Sequence, residues 1–240
     1  MALGFITFAH NAHAAETAAF TDAQKTELQK IIRESIKENP EIIIESVQEY
    51  QVNKQRNLVS DAEKKFPEYK EFLTAASNPS IGNQKGDVTI VEFFDYNCGY
   101  CKRALPDIQK LVDEDKNVRV VFKELPILSP ASLMAAQWAV AAHKQGKYFD
   151  YHKALMDHKG NYDEASLSKI AKDLGLDVNR MAKDAMSDAT REDITKSLDA
   201  SKALGIQGTP GFIINGKIYP GYLGEDGLKQ AVAKVRTEKG

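Results

Sequence analysis

The chain has 240 residues, 42% of them hydrophobic and 28% charged, with a formal net charge of -2. That is the composition of one sizeable globular domain, alone or with an appendage, and its near-neutral balance gives no sign of a nucleic-acid binder or a polybasic membrane-surface protein. The two cysteines both sit in a single C-x-x-C, too few for a disulfide-stapled scaffold and without the further ligands of a structural zinc site.

Met1 to Ala14 reads MALGFITFAHNAHA, a short apolar stretch ending in Ala12-His13-Ala14. It resembles the apolar region and A-x-A cleavage site of a secretory signal, although the positively charged start is missing. Residues 1–14 are expected to be a signal-peptide remnant, with a disordered tail as the alternative. No later stretch has the ~20 apolar residues of a membrane span. A periplasmic or otherwise exported protein is therefore expected.

Residues 15–77 are expected to form an N-terminal helical oligomerisation region and linker. Thr21 and Gln24 fit a capping box that opens a helix through Leu28, Ile31, Ile32 and Ile36. Asn39-Pro40 then places an N-cap and a proline at the first position of a second helix carrying Ile42, Ile43, Ile44, Val47 and Tyr50. A polar stretch follows at 51–57, and a third short helix is expected around 67–76. Isoleucine-rich helices need a surface to cover. They are read as a self-association element, too short in pattern to choose dimer from trimer. The alternative is that they fold back onto the domain that follows.

Turn signals at Asn78-Pro79, Gly82-Asn83 and Lys85-Gly86-Asp87 open that second domain, 78–240. Val88 to Phe94 reads as a buried strand, Cys98-Gly99-Tyr100-Cys101 follows, and a helix runs on to Val112. The next strand is Val118 to Lys123, at the spacing of a parallel crossover. A helical lobe spans about 130–205, with Gly175 and Gly205 as helix-ending positions. A hairpin around Asn215-Gly216 joins strands at 211–214 and 217–219, and a helix at 225–235 closes the chain. The order describes an α/β thioredoxin fold with an inserted helical lobe, preceded by an N-terminal helical region.

The thiolate is the nucleophile in disulfide exchange, so such a site must supply one near neutral pH. A cysteine at the first turn of a helix, like Cys98, meets unpaired N–H groups and the positive end of the helix dipole. Cys101, one turn on, sits as the buried resolving thiol. Gly99 and Tyr100 add little charge between them.

Phe94-Asp95-Tyr96-Asn97-Cys98-Gly99-Tyr100-Cys101 resembles the active-site segment of the DsbA family of thiol–disulfide oxidoreductases. The resemblance runs from about Val88 to Val235 and includes the helical insertion, and the N-terminal helices resemble those of the oligomeric, ScsC-like branch. It implies that Cys98 attacks and Cys101 resolves. Gly208-Thr209-Pro210 matches the loop whose proline is cis and packs against the sulfurs, so that the Thr209 backbone pairs with a bound substrate strand. Glu92 matches the buried acid that exchanges a proton with Cys101; a paired strand residue is the alternative. Gly-Tyr between the cysteines, found also in the isomerase DsbC, and threonine before the cis proline depart from the strong oxidases.

His143, His152 and His158 lie in the helical lobe without metal-ligand spacing, and no metal or cofactor is expected. Met134, Trp138 and Phe149 are expected to pack in helices rather than line a groove. Lys123 and Glu124 are expected to be solvated, and Met181 and Met186 to fill the core. The leading function is a protein disulfide isomerase or reductase, oligomeric, acting on unfolded or misoxidised exported proteins and served by a membrane redox partner. A dithiol oxidase is the alternative within the same chemistry; a Cu(I)-binding metal-tolerance protein is the alternative outside it.

Overall fold

The computed structural model describes residues 20–238, so the signal-like segment 1–14 lies outside the described residues. The capping box at Thr21 is formed, the Thr21 hydroxyl accepting from the Gln24 N–H, and opens α1 (Asp22–Glu38). Asn39 differs from its expected role. Its side-chain amide donates to the Ser35 carbonyl at 3.0 Å, so it closes α1 instead of capping the next helix. Pro40 begins α2 (Pro40–Thr74), where a missing N–H costs nothing.

That helix runs unbroken through Pro67, and the expected third helix is its last part. Burial explains why. Val59, Ala62, Phe66, Tyr69 and Leu73 are spaced three and four apart, and they join a core with the sheet residues Val91, Phe93, Val121 and Ile213. Covering that stripe outweighs the ~3 kcal/mol that an interior proline costs.

The chain divides into two compact units, 1–54 and 55–240. The unit that holds the C-x-x-C starts at Gln55, within α2, because the second half of α2 supplies part of its core. In the first unit no residue of α1 is buried, and Ile31, Ile32, Ile36, Ile42, Ile43, Ile44 and Val47 are all exposed.

The second unit continues with β1 (Ser80–Gly82), β2 (Val88–Phe94), α3 (Gly99–Glu114) and β3 (Val118–Glu124). The helical lobe is α4 (Pro130–His143), α5 (Tyr148–Asp157), α6 (Glu164–Asp173), α7 (Val178–Ala185) and α8 (Asp188–Ala203). The chain ends with β4 (Gly211–Ile214), β5 (Lys217–Pro220) and α9 (Gly224–Thr237). The sheet order is β1-β3-β2-β4-β5, with β2 and β3 parallel and the other pairs antiparallel. This is the expected α/β thioredoxin fold with its inserted helical lobe.

One element was not anticipated, β1, which is only three residues long and lies between turn signals. Gly82 ends it at φ 83°, where a Cβ would sit 2.4 Å from the Val118 carbonyl oxygen, so the turn accepts no other residue without shifting the backbone. The hairpin forms as read: Asn215 (φ 48°) and Gly216 (φ 92°) both take the left-handed conformation that a tight primed turn requires. Asn215 also accepts the Thr89 N–H at 3.0 Å, which ties the turn to β2.

Each face of the sheet carries a core. One packs α3, α9 and the helical lobe, through Leu105, Ile108, Val232, Trp138 and Tyr151. The other packs the second half of α2 and Ala200 and Leu204 from α8 and its end. With both faces covered, β3 is buried throughout, and this corrects the reading of Lys123 and Glu124 as solvated. Lys123 places its ammonium 3.8 Å from the Phe72 ring centre and 3.7 Å from Asp193. Glu124 accepts from Tyr148 at 2.7 Å and Tyr96 at 3.2 Å. Met181 is buried as expected, but Met186, at the C-cap of α7, is 62% exposed and fills no core. Among the described residues, no helix is long and apolar enough to cross a membrane.

Candidate active site

Strand β2 delivers the site. Its last residue, Phe94, is followed by Asp95, whose buried carboxylate holds the loop in shape. Asp95 accepts from the N–H groups of Asn97, Ile127 and Leu128 and from the Ser132 hydroxyl, all between 2.7 and 3.0 Å. Asn97 in turn donates to Ser129 and Ser132. These contacts lock residues 95–97 to the loop before α4 and leave Cys98 as the N-cap of α3.

Cys98 accepts the Cys101 N–H at 3.3 Å, and its thiol donates to the Thr209 carbonyl at 3.2 Å. Hydrogen bonding to the Cys101 side chain acts most strongly on its acidity. Partial burial opposes, and the Thr209 side chain and the Cys101 and Tyr100 N–H groups assist; the net effect is a pKa lowered to about 5. A helix N-terminus is the expected setting for such a thiolate. Cys101 is fully buried, and desolvation, then its bond to Cys98, then the charge of Glu92 push its thiol far above the usual range. The two sulfurs thus have opposite characters, one poised to ionise and one held protonated.

Glu92 lies on β2, paired with Phe122 on one side and Phe212 on the other. It is 1% exposed, and its Oε1 has no hydrogen-bond partner among the described residues. Burial, and secondarily the charge of Cys98, raise its pKa to about 8. The Thr209–Pro210 peptide is cis, and Thr209 faces Cys98 directly. The structure therefore brings together all five residues singled out in the sequence: Cys98, Cys101, Thr209, Pro210 and Glu92.

Three features escaped sequence reading. Asp95 looked like one acidic residue in a motif; only the fold reveals four donors converging on it. A buried cluster joins Glu124, Tyr96, Tyr148 and His152, with the Tyr96 hydroxyl 3.1 Å from His152 Nδ1. Burial lowers the His152 pKa to about 3, so the ring is neutral. Outside the dithiol, Arg103 stacks 4.1 Å over the exposed Tyr100 ring, and Tyr222 donates to Asp107 at 2.6 Å. Trp138 is buried and Phe149 stacks on Phe122, as expected of packing residues, whereas Met134 is exposed. Among the described residues no three His, Cys, Asp or Glu side chains converge as a metal site.

The family described as DSBA-like thioredoxin domain matches residues 89–233, and the copper resistance protein ScsC N-terminal domain matches residues 24–56. A thioredoxin-like oxidoreductase from Silicibacter pomeroyi, of known structure, is 41% identical; the match covers 70% of this chain and 97% of that one with a TM-score of 0.67. A linker-deletion mutant of Proteus mirabilis ScsC is 28% identical and matches over 93% of this chain and 100% of its own, with a TM-score of 0.68. The Na(+)/H(+) antiporter NhaA 3 of Salinispora tropica is 32% identical over 167 residues, 66% of this chain and 26% of that protein. The chain thus spans about a quarter of the length of the first curated relatives it matches. By fold, by the setting of its dithiol and by these matches, the chain belongs to the DsbA family of thioredoxin-fold proteins, in its ScsC-like branch.

Proposed function

We propose that this thiol–disulfide oxidoreductase works chiefly as a disulfide isomerase and reductase on exported proteins. The observation that carries the disulfide-exchange chemistry is the opposed pair of sulfurs, Cys98 held near pKa 5 beside a fully buried Cys101 thiol that feels the charge of Glu92. The Cys98 thiolate attacks a substrate disulfide. A Cys98–substrate bond forms, the old S–S bond breaks, and the second substrate sulfur leaves with the electron pair. In isomerisation that freed thiolate attacks another disulfide of the same substrate, and a substrate thiolate later expels Cys98 unchanged. When rearrangement stalls, Cys101 gives its proton to Glu92 and attacks Cys98; the substrate leaves as a dithiol and the Cys98–Cys101 pair is oxidised.

Glu92 is suited to this timing. The Cys98 charge helps to keep Glu92 protonated, and that charge disappears when Cys98 enters the mixed disulfide. Glu92 then ionises more readily at the step where Cys101 needs a base. Thr209 supplies backbone for a substrate strand, and the cis Pro210 follows the carbonyl that meets Cys98. Gly99-Tyr100 and the threonine before the cis proline favour isomerase or reductase over a strong oxidase, by resemblance to the isomerases.

The exposed isoleucines of the first unit favour self-association into a dimer or trimer, in keeping with the ScsC N-terminal match at 24–56. The domain assignment that follows is an oligomerisation arm up to residue 54 and a catalytic unit from 55. An exported location and a membrane redox partner complete the proposal. A periplasmic thioredoxin-like protein from Salmonella enterica, 28% identical, is among the relatives of known structure.

The low Cys98 pKa favours a second reading, a dithiol oxidase, because a stabilised thiolate stabilises the reduced form and makes the disulfide more oxidising. Refolding of a substrate with scrambled disulfides separates the two. Recovery that depends on Cys98 and needs no net oxidant supports the isomerase. Failure to recover it, with fast oxidation of a reduced peptide, establishes the oxidase.

A further inference from the structure

A cleft of about 620 Å³ opens beside the Thr209–Pro210 loop, within the second unit. One wall is the stretch from Lys202 through Thr209; the other is the second half of α2, which presents Leu58, Asp61 and Lys65. Its size is that of a ligand site. Three observations point to one occupant.

The first is the backbone. Among the described residues, the N–H groups of Gln207, Gly208 and Thr209 donate to no protein acceptor, and Gln207 and Gly208 are exposed. A run of free donors beside a sheet matches the backbone of an extended chain. The second is apolar surface. Leu58 is 57% exposed at the cleft, facing a floor that includes Ile206. The third is charge. Lys65 and Lys202 line the cleft against the single carboxylate of Asp61, so the walls favour an anionic guest. The cleft is also continuous with the reaction centre, because the Thr209 carbonyl lies 3.2 Å from the Cys98 sulfur.

We propose that this cleft seats an extended polypeptide segment flanking the substrate cysteine, anchored by an apolar side chain on Leu58 and selected for acidic side chains by Lys65 and Lys202. The proposal rests on the disulfide-exchange function and names the substrate segment which that function engages. A helix that looks like a connector to the N-terminal arm thereby serves as one side of the substrate site.

The test compares two disulfides. One is a synthetic peptide, made in an acidic and a basic version with a leucine beside its single cysteine, presented as the mixed disulfide with thionitrobenzoate. The other is Ellman's reagent itself. In both reactions the Cys98 sulfur forms the new bond and thionitrobenzoate leaves with the electron pair as a coloured thiolate. Burial of a leucine side chain corresponds to roughly tenfold or more in an equilibrium. Leu58→Glu is expected to lower the peptide-to-reagent rate ratio about tenfold. Lys65→Glu with Lys202→Glu is expected to shift preference from acidic to basic peptides. Ser60→Glu, on the same helix but outside the cleft, is expected to leave the ratio alone. An unchanged ratio in Leu58→Glu, or an unchanged charge preference in the double variant, overturns the proposal. If the wild-type protein reacts with neither disulfide, the oxidoreductase reading fails instead.

Discussion

The Cys98 sulfur and the Thr209 carbonyl oxygen lie 3.2 Å apart although 111 residues separate them in the chain. The contact joins the N-cap of α3 to the loop before β4, and the β2–β4 pairing keeps both in register. A thiol at this point is held from two sides. The α3 N-terminus favours its ionisation, while the Thr209 carbonyl accepts its proton only when it is neutral.

Cys98 ionisation is the first expectation. Alkylation of the reduced protein by iodoacetamide should rise with pH through a midpoint near 5, with a single cysteine modified. Thr209→Val removes a side-chain hydrogen bond and should move the midpoint upward. A midpoint near 9, the ordinary thiol value, would contradict the site geometry.

Glu92 is expected to act on the second step, not the first. Glu92→Gln should leave the initial attack on a substrate disulfide nearly unchanged and slow resolution of the mixed disulfide by roughly a hundredfold. Rapid-quench trapping of the mixed disulfide reports both rates. Equal slowing of the two would mean that Glu92 merely supports the fold.

His152 sets an acid limit on stability. Its pKa falls from 6.5 in the unfolded chain to about 3 in the folded one, so between those values the unfolded chain binds a proton that the folded chain refuses. Stability from this group is complete above pH 6.5 and is lost as pH falls toward 3, at roughly 1.4 kcal/mol per pH unit. Urea unfolding of wild type and His152→Gln from neutral to acid pH checks it: the variant should lose less with each step down.

The second half of α2 belongs to the catalytic unit's core. Leu73→Ala should cost about 2–5 kcal/mol by denaturant unfolding, the range for a buried leucine. Removal of residues 20–54 should leave the fold intact and yield a monomer by light scattering, with weaker isomerase and stronger oxidase behaviour. A deletion reaching residue 65 takes Val59 and Ala62 from the core and should unfold or destabilise the protein.

Much of the site was legible because its signals are local. A strand running into C-x-x-C and then a helix is a contiguous pattern, and the Asn215-Gly216 turn needs two left-handed residues that only such a dipeptide offers cheaply. What escaped depends on contacts between distant segments. Pro67 reads as a helix boundary by propensity, and only the stripe it shares with the sheet keeps α2 continuous. Lys123 and Glu124 read as solvated because charge usually is. Phe72 and Asp193 on one face of β3, and Tyr96 and Tyr148 on the other, reverse that expectation. Asp95 was hidden for the same reason, since its four donors come from residues 97, 127, 128 and 132.

Glu92 has a consequence for the protein's evolution. A carboxyl group buried with an unpartnered oxygen weakens the fold that contains it, and an apolar side chain between Phe122 and Phe212 would fit the strand at less cost. Selection for heat resistance alone would therefore replace Glu92 early, with leucine or methionine favoured, and hardier variants would resolve their mixed disulfides poorly. Retention of the acid in a thermostable descendant would mark a lineage still selected for turnover.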